Sequence, residues 1–146
     1  MKVKLGRLLL IVAGLIAFGT ALAHTSCIYF GPECYSAQMA PPEVVEAAKA
    51  GSLVAPIGTL LVSTIFVGIG CYAFSAAGVM RPFPKLNFII YLISFTCVVR
   101  GLLPIQLWFR HPQKVPDPVL YVGLVWLLVG LFFVIGLRLV KRDNTN

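Results

Sequence analysis

Four stretches of this chain are apolar over the length that a helix needs to cross a lipid bilayer, about 20 residues for a hydrocarbon core of about 30 Å. They cover residues 8–23, 53–75, 86–108 and 118–138. The first of them is the shortest, but no charged residue follows it before Glu33. The only charged residue inside the third stretch is Arg100. The pattern predicts an all-α protein whose residues 1–146 form one membrane domain, a bundle of four transmembrane helices.

The composition excludes the usual soluble classes. Of the 146 residues, 59% are hydrophobic and 12% are charged, whereas a soluble domain has about 45–50% and about 25%. So few charges cannot cover a soluble surface. The net charge of +7 is spread over the flanks of the apolar stretches, which indicates neither disorder nor nucleic-acid binding. The lipid bilayer is the expected surrounding.

The first apolar stretch has two interpretations. Basic residues at positions 2–7 precede it, and Ala21-Leu22-Ala23 matches the small-residue pattern of a cleavage site, so it could be a signal peptide. It could also be a retained signal anchor, because three further spans need an orienting first helix. We expect retention, with cleavage as the alternative.

The distribution of Lys and Arg predicts the orientation of the spans. The two termini and the turn at 81–85 together hold eight basic residues and one acidic residue, whereas the opposite side holds four of each. Positive charge accumulates on the cytoplasmic side of a membrane protein. We therefore expect both termini in the cytoplasm and the loop 24–52 on the outside.

The loop 24–52 contains a predicted short helix. Pro41-Pro42 precedes EVVEAAKA, Lys49 falls in the last turn, and Gly51 follows, which are the start and stop signals of a helix. We expect this helix to lie along the membrane surface, with Val44, Val45 and Ala48 facing inward.

Cys27 and Cys34 lie in the same external loop, separated by six residues that include Gly31-Pro32. An oxidising compartment outside the membrane and a turn at Gly31-Pro32 favour a structural disulfide between them. A catalytic redox pair is the alternative, but such chemistry usually relies on Cys-x-x-Cys, which this chain lacks. The two histidines show no ligand spacing, so no metal site and no cofactor is predicted.

Arg100 is the one charge placed among apolar residues, and an Arg at mid-membrane costs about 2.5–3.5 kcal/mol on insertion scales. One interpretation is that its side chain extends outward to the interface. The other is that it faces the bundle and binds a carboxylate of the external side or an anionic head group. Our hypothesis is that it pairs with Glu33, Glu43 or Glu46 and ties the loop down.

Small and polar residues recur at helical spacing in each span, as in helix contacts within membranes. These stripes are Ala13, Ala17 and Ala21; Thr64, Gly68, Cys71, Ser75 and Gly78; Asn87, Tyr91, Ser94 and Gly101; and Gly123 with Gly130. Packing explains all four stripes. A cavity lined by Asn87, Tyr91 and Ser94 is the alternative for the third.

Two segments carry a resemblance. Residues 30–35 (FGPECY) after the first span and residues 99–104 (VRGLLP) in the third are similar to segments of small uncharacterised bacterial inner-membrane proteins. The resemblance implies a four-helix protein of the bacterial inner membrane and implies no activity.

Three functions remain open from the sequence. The first is a non-enzymatic accessory or assembly subunit that packs against a larger membrane partner. The second is a binder or carrier of a lipid or another hydrophobic molecule. The third, a membrane enzyme, is least favoured because no nucleophile–base pair is visible.

Overall fold

The structure is a computed structural model that describes residues 1–111, 113 and 115–141. Within these residues the chain is helical, without a strand. The helices are α1 (Lys2–Phe30), α2 (Pro32–Ala37), α3 (Pro42–Lys49), α4 (Val54–Ala76), α5 (Leu86–Arg110) and α6 (Asp117–Lys141). Four of them, α1, α4, α5 and α6, are long and apolar enough to cross a membrane. The predicted all-α class with four membrane-spanning helices is confirmed.

Three of the long helices, α1, α5 and α6, extend beyond the predicted spans, whereas α4 matches its span to within one residue at each end. The 29 residues of α1 correspond to about 44 Å of helix, so α1 is longer than the hydrocarbon core. It runs without a break through Ala21–Ala23, and retention of this segment stays a prediction. Lys114, Arg142 and Asp143, which contribute to the charge distribution, lie outside the described residues.

The chain forms two compact units. Unit 1 comprises Met1–Gly14 and Cys71–Asn146, and unit 2 comprises Leu15–Gly70. Both boundaries fall inside continuous helices, α1 and α4, whereas domain boundaries usually fall in exposed linkers. The single-domain organisation stays a prediction.

The centre of unit 1 is the contact between α5 and α6. The buried residues of α5 are Ile90, Ser94, Cys97 and Gly101, spaced by four, three and four. A methyl group built on Gly101 would lie 2.6 Å from Leu127 Cβ and 2.7 Å from the Gly123 carbonyl oxygen. Only glycine allows this approach, which is the packing that small residues permit between membrane helices.

The first turns of α1 belong to the core of unit 1. Gly6 and Gly136 bring α1 and α6 together, because a methyl group on Gly6 would lie 2.8 Å from the Gly136 carbonyl oxygen. Leu10 and Phe133 are fully buried. Gly14 packs on the ring of Phe74 in α4, with 2.8 Å between a built methyl group and the ring. Unit 1 thus contains parts of all four long helices.

The turn from α4 to α5 is fixed by Ser75. Its hydroxyl donates to the carbonyl oxygen of Arg81 at 2.9 Å and accepts the N–H of Phe83 at 3.0 Å. The ring of Phe83 packs edge-on against Tyr72, with centroids 5.2 Å apart. The turn that the sequence predicts at 81–85 is therefore held by side-chain contacts.

Unit 2 pairs the second part of α1 with the first part of α4. Phe18 covers Gly70, where a built methyl group would lie 2.8 Å from the ring. The hydroxyl groups of Thr25 and Ser63 lie 3.0 Å apart, and both reach the carbonyl oxygen of Ala21, at 2.8 and 3.3 Å. A shared network of hydroxyls and one carbonyl therefore joins the two helices.

The predicted contact faces are partly right. Ala13, Ala17 and Ala21 are buried, as are Gly123 and Gly130. The stripe on α4 is only partly right, because Ser75 is buried whereas Thr64 and Gly78 are exposed. In the first part of α4 the buried face runs one residue before Thr64, through Ala55, Thr59 and Ser63, which is a rotation of about 100°. Towards the end of α4 the buried residues are Gly70, Ala73, Ser75 and Ala76. Thr64 tolerates exposure because its hydroxyl donates to its own helix, at the Leu60 carbonyl oxygen.

Candidate functional site

A disulfide closes the segment between α1 and α4, which we call the cap (residues 27–55). Cys27 in the last turn of α1 bonds to Cys34 in α2, with the two Cα atoms 5.1 Å apart. Gly31 between them has φ +78°, a left-handed conformation that glycine adopts without strain. The chain reverses there, and Pro32 begins α2. The predicted disulfide is confirmed.

The cap has a small apolar core. Cys27, Tyr35 and Ala55 are buried, and partly buried residues pack on them: Cys34, Ala40, Val44, Val45, Ala47 and Ala48. The inward face predicted for the short helix is confirmed and includes Ala47 as well. The helix α2 is an addition that the sequence analysis did not predict.

Two polar contacts fix the cap to the long helices. The hydroxyl groups of Tyr35 and Thr59 lie 3.1 Å apart, which connects α2 to α4. Gln38 Nε2 donates to the carbonyl oxygen of Ala23 in α1 at 2.6 Å. Sequence reasoning missed both. The only sequence signal was the four-residue spacing of Ala55, Thr59 and Ser63, which marks the buried face of α4.

The three acidic residues of the cap are exposed. Glu46 pairs with Lys49 of its own helix, at 2.9 Å, and an exposed pair of this kind contributes about 0.2–1 kcal/mol. Glu33 and Glu43 lie in unit 2, whereas Arg100 lies in unit 1. Pairing of these carboxylates with Arg100 stays a prediction.

Arg100 is exposed on α5, so the inward orientation that we expected for it is not what the structure shows. The physical reason is its neighbour. Gly101 is fixed against Gly123 and Leu127 of α6, and one residue along a helix is a rotation of about 100°. The close contact of Gly101 therefore turns Arg100 away from α6. Among the described residues, Arg100 has no ion pair.

Arg100 belongs to an exposed strip of α5 formed by Thr96, Arg100, Leu103 and Leu107, which we call the Arg100 face. The spacing of four, three and four is that of side chains that contact one neighbouring helix. Pro104, four residues after Arg100, has no N–H to donate to the Arg100 carbonyl oxygen. Arg100 therefore contributes two polar groups to α5: its guanidinium, and its backbone carbonyl, which lacks the usual α-helical donor.

The depth of Arg100 follows from the aromatic residues at the end of α5. Trp108 and Phe109 form an edge-to-face pair with centroids 5.4 Å apart, and both are exposed. Tryptophan is enriched at the membrane–water interface. Arg100 is eight residues earlier, which places its Cα about 12 Å deeper along the helix.

Asn87, Tyr91 and Ser94 do not line one cavity. Ser94 is buried and donates to the Gly130 carbonyl oxygen of α6 at 2.7 Å. Asn87 and Tyr91 are exposed. The contact face of α5 passes through Ile90 rather than Tyr91, so the proposed lining is divided between an interface and an exposed surface.

The described residues contain no group of three or more His, Cys, Asp or Glu side chains that could hold a metal ion. His24 instead stacks on the ring of Phe66, with centroids 5.5 Å apart. It therefore takes part in the packing of unit 2.

These observations define an all-α integral membrane protein with four candidate spans and a disulfide-closed cap. The chain matches no family model, no curated protein and no solved structure.

Proposed function

We propose that this chain is a non-enzymatic accessory or assembly subunit that packs against a larger membrane protein in the bacterial inner membrane. The observation that carries the proposal is the use of its buried polar side chains. Thr59, Ser63, Ser75 and Ser94 are buried, and each hydrogen-bonds to a residue of the same chain. These groups build the fold, and this is the pattern of a packing module rather than of a reactive site.

The available surface supports the same proposal. The cap is tied down by its disulfide and by the contacts of Tyr35 and Gln38. Exposed large apolar residues occur along all four long helices. A partner would therefore meet this protein mainly within the membrane.

The orientation that we propose has both termini in the cytoplasm. It rests on eight basic residues and one acidic residue on that side, against four of each on the other. The Cys27–Cys34 disulfide lies on the side assigned to the outside, where oxidising conditions preserve such bonds. The charge distribution and the disulfide therefore support one topology.

Binding of a lipid or small hydrophobic molecule was the alternative function. Its suggested lining is divided, because Ser94 is buried at Gly130 while Asn87 and Tyr91 are exposed. No specific observation therefore favours a carrier over a subunit.

Reciprocal purification tests the proposal. The tagged chain is extracted from its native membranes in a mild detergent and separately in polymer nanodiscs, and co-purifying proteins are quantified by mass spectrometry. We expect one integral membrane protein at a fixed molar ratio in both preparations, and capture of this chain when that protein carries the tag. Recovery of this chain with lipids alone in both preparations would contradict the proposal.

A further inference from the structure

We infer that the Arg100 face is the docking site for a transmembrane helix of a partner protein that carries an Asp or Glu at the depth of Arg100. This inference rests on the proposed function and deepens it, because it names the contact surface and the chemistry of the partner. The face consists of Thr96, Arg100, Leu103 and Leu107, all exposed on α5.

The charge of Arg100 calls for a partner. Arg100 forms no ion pair with a described residue, and arginine side chains in proteins carry a positive charge. A guanidinium in the hydrocarbon region needs a partner, because charges within membranes pair or line polar cavities. The missing group is therefore an anion. A carboxylate fits best, because the planar guanidinium binds it through two parallel hydrogen bonds.

The depth of Arg100 in the membrane favours a carboxylate on a helix over a lipid phosphate. Phosphates lie beyond the hydrocarbon core, outside the level of Trp108. The Arg100 Cα lies about 12 Å deeper than Trp108, and an extended Arg side chain spans about 6–7 Å, which leaves the guanidinium below the interface even when it snorkels. A transmembrane helix can present a carboxylate at that depth.

A second copy of this chain is not a suitable occupant. None of its five acidic residues lies within the four apolar stretches, so a second copy would present no carboxylate at the depth of Arg100. In a symmetric contact at this face, two copies would also bring two like charges together. The partner must be a different protein.

The Arg100 face is held in a fixed position by the contacts of α5. Gly101 holds α5 against α6 at distances that no larger residue allows, and Ser94 bonds to Gly130 on the same side. The Thr96 hydroxyl is engaged with its own helix at the Leu92 carbonyl oxygen. The face is thus a preformed surface on which Arg100 has no ion-pair partner among the described residues. The Arg100 carbonyl, which Pro104 deprives of its α-helical donor, can accept a donor from the partner.

Photocrosslinking in the native membrane tests the inference. The photoreactive residue benzoylphenylalanine replaces Leu103 or Leu107 on the face, and Leu128 on α6 serves as an exposed control position. We expect crosslinks from Leu103 or Leu107 to an apolar segment of another protein that contains Asp or Glu. Their yield should fall about ten-fold or more in R100L, corresponding to about 1.4 kcal/mol. R100K should retain part of it, and R110L, the matched change at the exposed end of α5, should leave it unchanged.

A charge exchange completes the test. Replacing the partner carboxylate by Asn should lower the yield as R100L does, and combining R100E with an Arg at the partner position should restore it. Crosslinks that persist in R100L, or that reach only phospholipid, a second copy or this chain's own cap, overturn the inference. If Leu103 and Leu107 give no protein crosslink while a partner still co-purifies, the docking site is wrong and the proposed function stands. If no partner co-purifies either, both are wrong.

Discussion

The hydroxyl of Ser94 in α5 donates a 2.7 Å hydrogen bond to the carbonyl oxygen of Gly130 in α6. Glycine at position 130 makes this contact possible. It has no side chain between the helices, and a methyl group built there would lie 3.0 Å from the Ser94 carbonyl oxygen. The α5–α6 pair therefore combines close backbone approach with a buried polar bond, the two means by which membrane helices associate without a strong hydrophobic driving force.

S94A should destabilise the protein by about 0.6 kcal/mol and by no more than about 1.7 kcal/mol, the average and the maximum for hydrogen bonds between membrane helices. T96A is the matched control, since the Thr96 hydroxyl bonds only within α5. Thermal unfolding in detergent measures both variants. Equal shifts would mean that the Ser94 bond does not stabilise the α5–α6 contact.

G101A should cost more than S94A, about 1–3 kcal/mol, because overpacking forces a fixed contact apart. The added methyl group would meet Leu127 Cβ at 2.6 Å and a backbone oxygen at 2.7 Å, neither of which is the end of a flexible side chain. G68A is the control, because its Cβ would meet nothing within 4 Å. Unfolding in the same detergent should separate the two variants, and an unchanged midpoint for G101A would argue against the close approach of α5 and α6.

Alkylation before and after reduction should reveal two additional reactive thiols, mapping to Cys27 and Cys34. Closure of so short a loop stabilises by about 2–3 kcal/mol in the chain-entropy account, so C27S/C34S should unfold at a lower temperature. C71S, a change at a cysteine outside the disulfide, is the control. If Cys27 and Cys34 both react without reductant, they do not form a disulfide.

Tyr35 and Thr59 should couple in a double-mutant cycle. Y35F and T59V each remove one of two hydroxyls that lie 3.1 Å apart, and a typical hydrogen bond contributes about 0.5–1.5 kcal/mol. We expect an interaction energy in that range from unfolding midpoints. Strictly additive effects would show that α2 is not fixed to α4 through this pair.

Reporter fusions test the orientation. Fusions at Ser36 and Lys114 should report an external location, and fusions at Pro84 and Asn146 a cytoplasmic one, because of the charge distribution. Residues 114 and 146 lie outside the described part of the structure, so these two positions test the sequence argument alone. An external signal at Asn146 would contradict four spans.

The helices of the fold can be predicted from the sequence. The face that each helix buries, which depends on its rotation about its own axis, cannot. Hydropathy predicts the four spans, and Pro42, Lys49 and Gly51 predict the short helix, because length and helix signals are local properties. The buried face of α4 depends on whether Ser63 or Thr64 meets α1, and hydropathy barely distinguishes the two positions. On α5 the sequence likewise leaves open whether Ile90 or Tyr91 lies on the buried face. The contact with α6 decides this, and it is visible only in the structure.

The candidate site was predicted less completely. The disulfide was accessible because Cys27 and Cys34 are close in sequence and flank Gly31-Pro32. Tyr35–Thr59 was missed, because the two residues are 24 positions apart and nothing local marks them as partners. The sequence shows that Arg100 is unusual, because its neighbours along the chain are apolar. Its exposure depends on the contacts of Gly101 with α6, and these are visible only in the structure.

Native mass spectrometry of the chain released from its own membranes tests the central claim most directly. We expect an assembly whose mass is that of this 15.9 kDa chain plus a larger integral membrane protein in a fixed ratio. Collisional activation in the spectrometer should release the 15.9 kDa chain from it. An assembly that contains only this chain, as a monomer or as multiples with bound lipid, would contradict the account.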